Sequence, residues 1–197
     1  MTIFSPIAPV AAALRVRPKV AIADGSLARS AVLVPLFVEN GELGALFLRR
    51  SELVEHHKRE YCFPGGHVEP QDESLSATAL RECAEEVGLA PGDVQLLGEL
   101  DDVRTAHEVK ITPFVGAFPF PYRFVANPEE VEAIVPLHLS RLLAPGVRTI
   151  ETWNRTRPGL PGAEPRTFTF YRVDEHVIWG ATAHILDQLL AAIGRLP

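Results

Sequence analysis

An α/β fold is the class with which this sequence is consistent, and three observations carry that reading. Runs of β-branched and large apolar residues recur along the chain, two segments space their apolar residues as a helix would, and Gly- and Pro-containing stretches punctuate both. The 197 residues, 47% hydrophobic and 22% charged, suffice for one packed domain with a substantial core and do not require two. A single domain over residues 1–197 is therefore expected.

Taken in order, Ala31 to Val38 reads as a strand, and Glu39-Asn40-Gly41-Glu42 separates it from a second run, Leu43 to Arg50, so the pair predicts a β-hairpin. The polar stretch Ser51 to Glu60 follows. Phe63-Pro64-Gly65-Gly66 then predicts a tight turn that no regular element continues through. From Ser74 to Val87, Leu75, Ala79, Cys83 and Val87 recur every four residues, an apolar helical stripe that Gly88 terminates. Strands are expected at Val94 to Leu100 and Val109 to Phe118, with irregular chain from Pro119 to Pro128. A long excursion spans Ala144 to Pro165, Thr167 to Val173 returns to strand, and Ala181 to Ile193 forms an amphipathic helix. No internal repeat is visible.

A formal charge of -6 argues against a nucleic-acid partner bound by broad phosphate neutralisation. Cys62 and Cys83 are too few for a disulfide framework and lack the paired spacing of a zinc site, which predicts reduced thiols. Met1 to Arg15 is apolar but has no basic leading region and is interrupted by Pro6 and Pro9, so no export signal is expected. No run approaches the roughly 20 apolar residues of a membrane span. These readings together predict a cytoplasmic enzyme.

The chemistry concentrates between Gly65 and Leu89. On a helix, Glu82, Glu85 and Glu86 stand at i, i+3 and i+4, so their carboxylates project from one face. Taken alone, such a trio is ordinarily a solvated acidic face. Held together beside a Gly-Gly turn it becomes a site for a hard divalent cation, Mg²⁺ or Mn²⁺, to which the Gly66 carbonyl can contribute. Arg81 can pair with Glu73 and lock the turn onto the helix. His56, His57 and His67 lie near the turn without zinc-site spacing and are expected at the surface, and Trp179 is expected in the core.

Arg81-Glu82-x-x-Glu85-Glu86-x-Gly88-Leu89, preceded by Glu73 and Gly65-Gly66, resembles the Nudix box, here spanning about 65–89. The resemblance implies a Nudix fold, a mixed β-sheet sandwiched between α-helices. Six residues separate Gly66 from Glu73, against five in the common box, and this longer spacing, with an acid at Asp72, is similar to the coenzyme A pyrophosphatase branch. Arg29 before the first strand, Arg50-Ser51 ahead of His57 and Phe63-Pro64-Gly65-Gly66, Asn127-Pro128-Glu129-Glu130-Val131, and Ile178-Trp179-Gly180-Ala181-Thr182-Ala183 resemble further landmarks of that branch. Glu55 stands where its signature has Arg, Arg59 where it has Gly, and Glu108 replaces a Gly after Thr105.

The implied reaction is attack of water on a diphosphate phosphorus, giving from coenzyme A a phosphopantetheine product and adenosine 3′,5′-bisphosphate. Its alternatives are another nucleoside diphosphate derivative, such as ADP-ribose or a dinucleotide, and a ligand-sensing domain without catalysis. The metal ligands expected are Glu82, Glu85, Glu86 and Gly66. Glu85 is the first candidate for the base and Glu130 the second, while Arg81 and Glu73 orient the site. Arg29, Arg50 and Arg59 are the candidate phosphate ligands, because guanidinium matches phosphate geometry. A homodimer is compatible with these readings.

Overall fold

Asn40 and Gly41 both hold positive φ, 51° and 82°, as a two-residue type I′ turn requires. They join β1 (Ala28–Glu39) to β2 (Glu42–Arg50) in the expected hairpin. The computed structural model describes residues 6–153 and 165–196. β1 is the hub of a mixed sheet. One of its edges pairs antiparallel with β2 through Leu36–Glu39 and with β4 (Gly65–His67) through Ser30–Val32. Its other edge runs parallel to β7 (Val109–Ala117). β3 (Tyr61–Cys62) and β8 (Val131–His138) flank β2, and β5 (Gln95–Glu99) and β6 (Val103–Arg104) flank β7, completing eight strands.

A strand covered on both faces should be apolar throughout, and β1 is buried without a break from Ser30 to Phe37. Ala31, Leu33 and Phe37 face α2 (Leu75–Val87) and meet its stripe of Ala79, Cys83 and Val87. Val32, Val34 and Leu36 face the opposite layer. That layer holds α1 (Ile7–Val16), α4 (Gly180–Ala192) and a second antiparallel sheet of β9 (Arg148–Trp153), β10 (Arg166–Val173) and β11 (His176–Trp179), reached through α3 (Leu139–Leu142). A mixed sheet between helical layers is thus the observed architecture.

Several elements depart from the expectations. Gly65-Gly66 is not a turn but a strand segment. An added Cβ at Gly65 (φ 154°) would lie 2.4 Å from the Ala31 carbonyl oxygen, so glycine serves the close approach of β4 to β1. α1 forms despite its prolines because Pro6 is the N-cap and Pro9 sits in the first turn, where no intrahelical N–H is needed. β8 tolerates Pro136 because it pairs only with β2 and leaves its far edge free of ladder bonds among the described residues. β9 occupies part of the expected 144–165 excursion, whose residues 154–164 lie outside the described residues, as do residues 1–5 of the segment read for an export signal. No described helix is long and apolar enough to cross a membrane.

Candidate active site

The face of α2 toward β4 carries the site. Ser74 caps the helix by accepting from the Ala77 amide (3.1 Å), and Gly88 ends it at φ 71°. Between these caps the helix presents Arg81, Glu82, Glu85 and Glu86. Glu86 is the most deeply placed, 3% exposed, and accepts from the Gly65 amide at 2.9 Å. Burial pushes its carboxyl up to about 8; the Gly65 N–H opposes this, and the neighbouring Glu82 and Glu130 carboxylates reinforce it. Glu82 is also raised, first by burial, with Arg81 opposing and Glu85 and Glu130 adding. Gly66 makes room for it: a Cβ there would lie 2.4 Å from the Glu82 carboxyl carbon.

Arg81 does not pair with Glu73. Its Nε and Nη2 fork onto Asp72 at 2.9 and 3.0 Å, Nη2 also donates to the His67 carbonyl (3.1 Å), and Nη1 reaches Glu85 (2.9 Å) and Glu82 (3.0 Å). Asp72 is held in turn by the Glu69 amide (2.9 Å) and the buried Thr78 hydroxyl (2.8 Å). The Arg81 hydrogen bonds, with these two, hold the Asp72 carboxyl well below the usual carboxylate range. Glu73 is exposed and makes no ion pair among the described residues. The physical reason is register. Asp72 follows Gly66 after five residues, 67–71, the spacing of the common box, so the additional residue falls between Asp72 and Arg81. Asp72→Asn is accordingly expected to slow turnover about tenfold or more by loosening a charge-assisted fork, with Glu73→Gln staying within about twofold of wild type; steady-state kinetics with equal outcomes for the two variants would reverse this assignment.

Glu130, the second base candidate, is brought to the same cluster, since its charge bears on both Glu82 and Glu86. Its position follows from the irregular segment before β8: the Val125 and Asn127 amides donate to the Val87 and Glu86 carbonyls at the end of α2 (both 2.9 Å), and the Ser51 amide donates to the Glu130 carbonyl (2.8 Å). Arg50 also joins the cluster, its charge lowering the proton affinity of Glu86, and its buried Nε has no hydrogen-bond partner among the described residues. The Gly66 carbonyl accepts from the Ser30 hydroxyl at 2.6 Å, and its antiparallel register opposite Ala31 places it in the β1–β4 ladder as well. Arg29 is exposed on β1. Arg59 is separated from the cluster, its guanidinium on Glu52 (3.0 Å) in the 51–60 loop. His56, His57 and His67 are exposed, and Trp179 is half-buried rather than core.

The donor set suits a hard divalent cation: oxygen ligands, mutual repulsion, and a buried carboxyl with no ion pair among the described residues. Among the described residues no three acidic or imidazole groups yet converge on one ligating point. Glu82 and Glu85 turn to Arg81, and Glu86 to the Gly65 amide. Cys62 and Cys83 are free, and burial pushes the Cys62 thiol up to about 12 and raises Cys83 as well.

The family model of the NUDIX domain matches residues 27–150. A Nudix hydrolase NudL of Photorhabdus laumondii, described as uncharacterized, is 35% identical over 160 residues, 81% of this chain and 82% of its own length. Its counterpart from an Enterobacter species is 32% identical over 181 residues, covering 92% and 91% of the two chains. Among solved structures, the Nudix hydrolase RenU of M. smegmatis superposes with a TM-score of 0.50 at 17% identity, over 58% of this chain and 73% of that one, a likeness of fold. Box helix, glycine strand and relatives over most of the chain's length lead to one conclusion: the chain belongs to the Nudix hydrolases.

Proposed function

We propose that this Nudix hydrolase cleaves the diphosphate linkage of coenzyme A or a derivative, using Mg²⁺ or Mn²⁺, to a phosphopantetheine product and adenosine 3′,5′-bisphosphate. The observation that carries the substrate reading concerns the two places where the coenzyme A signature has Gly and this chain does not. Arg59 and Glu108 both adopt left-handed backbone, φ 61° and 59°, so the loop geometry that glycine would supply is kept. The resemblance in these loops therefore extends to conformation where it lapses in residue type.

Glu82 and Glu86, with the Gly66 carbonyl and a share from Glu85, would hold the metal. A divalent cation so bound supplies charge neutralisation of the diphosphate and acidifies a coordinated water. Glu130 suits the general base better than Glu85, because Glu85 is already bonded to Arg81, whereas Glu130 makes no ion pair among the described residues and its charge bears on both Glu82 and Glu86. Arg50, with an unused buried donor beside Glu86, is placed to grip a phosphate oxygen, and exposed Arg29 can assist. A homodimer belongs to the same reading and would scatter light at twice 21.6 kDa.

Incubating the protein with a panel of diphosphates and analysing products by mass spectrometry tests this directly. Coenzyme A should be cleaved fastest, excess EDTA should abolish the reaction, and Mg²⁺ or Mn²⁺ should restore it. Faster cleavage of ADP-ribose or a dinucleotide would transfer the assignment to another nucleoside diphosphate derivative. Full turnover in excess EDTA would remove the metal, and binding without turnover of any compound would leave a sensing domain.

A further inference from the structure

Across the β2–β3 edge from the acidic cluster lies a cleft of about 290 Å³ lined by Arg49, Arg59, Glu60, Tyr61, Val177 and Trp179, with Glu175 at its border. Its relation to the cluster follows from strand alternation. Arg50 and Cys62 belong to the α2 side, where both lie near Glu86, and their neighbours Arg49 and Tyr61 project to the other side. The cleft and the cluster are thus one residue apart on two adjacent strands, on opposite faces of a sheet edge. The 51–60 loop runs around that edge, bonded to it through Arg50 N–Glu60 O (3.0 Å) and Arg59 N–Arg50 O (3.1 Å).

Two features distinguish the cleft from ordinary surface. Trp179 is the end of an aromatic array: it stacks on Phe170 (6.1 Å between centroids, 6° between planes) and lies 5.9 Å from Trp153, which fixes its indole while leaving it half-exposed. Arg59 holds a left-handed backbone at a cost that glycine would avoid, and its guanidinium is restrained only by an exposed pair with Glu52, 58% and 64% exposed. Arg49 is engaged bidentately with Glu132, and Glu60 with His57, so Arg59 is the cation most easily recruited by a ligand.

We propose that this cleft binds the purine 3′-phosphate end of a nucleotide, with Trp179 stacking on the base and Arg59 pairing with the phosphate. The inference rests on the coenzyme A reading for the identity of that nucleotide. A base and phosphate lodged here would let the adjoining diphosphate cross the sheet edge to the acidic cluster. Arg59, out of pattern as a loop residue, then acquires a role as the determinant of preference for a 3′-phosphate.

The protein's two tryptophans allow a test that does not depend on turnover. In a Trp153→Phe background, adenosine 3′,5′-bisphosphate added in EDTA should quench Trp179 emission saturably. Arg59→Ala should weaken that binding about tenfold, and adenosine 5′-monophosphate should bind the unaltered background about tenfold more weakly than the bisphosphate. In turnover, Trp179→Leu should raise KM roughly tenfold with kcat little changed, whereas a merely structural loss would lower the folded fraction and kcat together. Absence of saturable quenching, or equal affinity in Arg59→Ala, overturns the proposal. Cleavage of coenzyme A without quenching would refute the cleft and keep the function. Quenching without cleavage of coenzyme A would refute the function and keep the cleft.

Discussion

Glu86→Gln is expected to lower kcat/KM by roughly 10²–10³ and, in the metal-free protein, to raise stability at alkaline pH. The two effects share a cause. Gln keeps the acceptor for the Gly65 amide but removes the buried negative charge that a metal needs and that the metal-free fold tolerates poorly. In the native protein the folded carboxyl binds its proton up to about 8, above its ordinary 4.5. The stability contributed by that proton is complete below 4.5 and is lost as pH rises through 8, with a ceiling of about 5 kcal/mol. Urea unfolding in EDTA at pH 6 and pH 9 should therefore show wild type weakening more than the variant, and Mn²⁺ should rescue wild type alone. Parallel pH profiles for the two proteins would mean that Glu86 carries no such charge penalty.

The second large effect comes from a single methyl group. Gly66→Ala places Cβ 2.4 Å from the Glu82 carboxyl carbon, and the end of that flexible side chain must move away. Turnover should fall roughly 10²–10³-fold with a melting temperature near that of wild type, because the proposed ligand Glu82 is displaced and the three atoms nearest the new Cβ all belong to its flexible side chain. Gly65→Ala is the contrasting case, since its Cβ would meet the Ala31 carbonyl oxygen at 2.4 Å and the Val32 Cα at 2.6 Å. It should lower the melting temperature as well, through the β4–β1 pairing. Equal thermal shifts for the two variants, measured by calorimetry, would show that Gly66 is also there for the backbone.

How legible these features were in the sequence depended on whether their cause is local. The hairpin turn, the α2 stripe and its Gly88 stop are set by neighbours in the chain, and the structure places them within a residue or two of where the sequence did. Gly65-Gly66 misled, because Gly signals a turn locally, whereas here it answers a strand over thirty residues away in sequence. The partner of Arg81 could have been found by counting the common box spacing from Gly66 to Asp72. Glu73 matches the box's first glutamate in residue type at the longer spacing, but two adjacent acids on a loop point in different directions. Glu130 entered the cluster only through tertiary hydrogen bonds to the end of α2, and periodicity carries no trace of those. The half-exposure of Trp179 arises from β10 and β9 stacking beneath it, again a non-local fact.

The parallel pairing of β1 with β7 has a consequence for how the chain is made. Ala28 meets Val109 and Leu36 meets Ala117, so one edge of the most apolar strand waits about eighty residues of synthesis for its mate. At ribosomal speeds of about 5–20 residues per second, that is an interval of roughly four to sixteen seconds. During it the hairpin and α2 can form, yet β1 presents an open, hydrophobic edge of the kind that recruits other strands. The acidic helix is complete before the sheet that holds it in place, which makes the nascent first half of the chain the stage most in need of protection from aggregation.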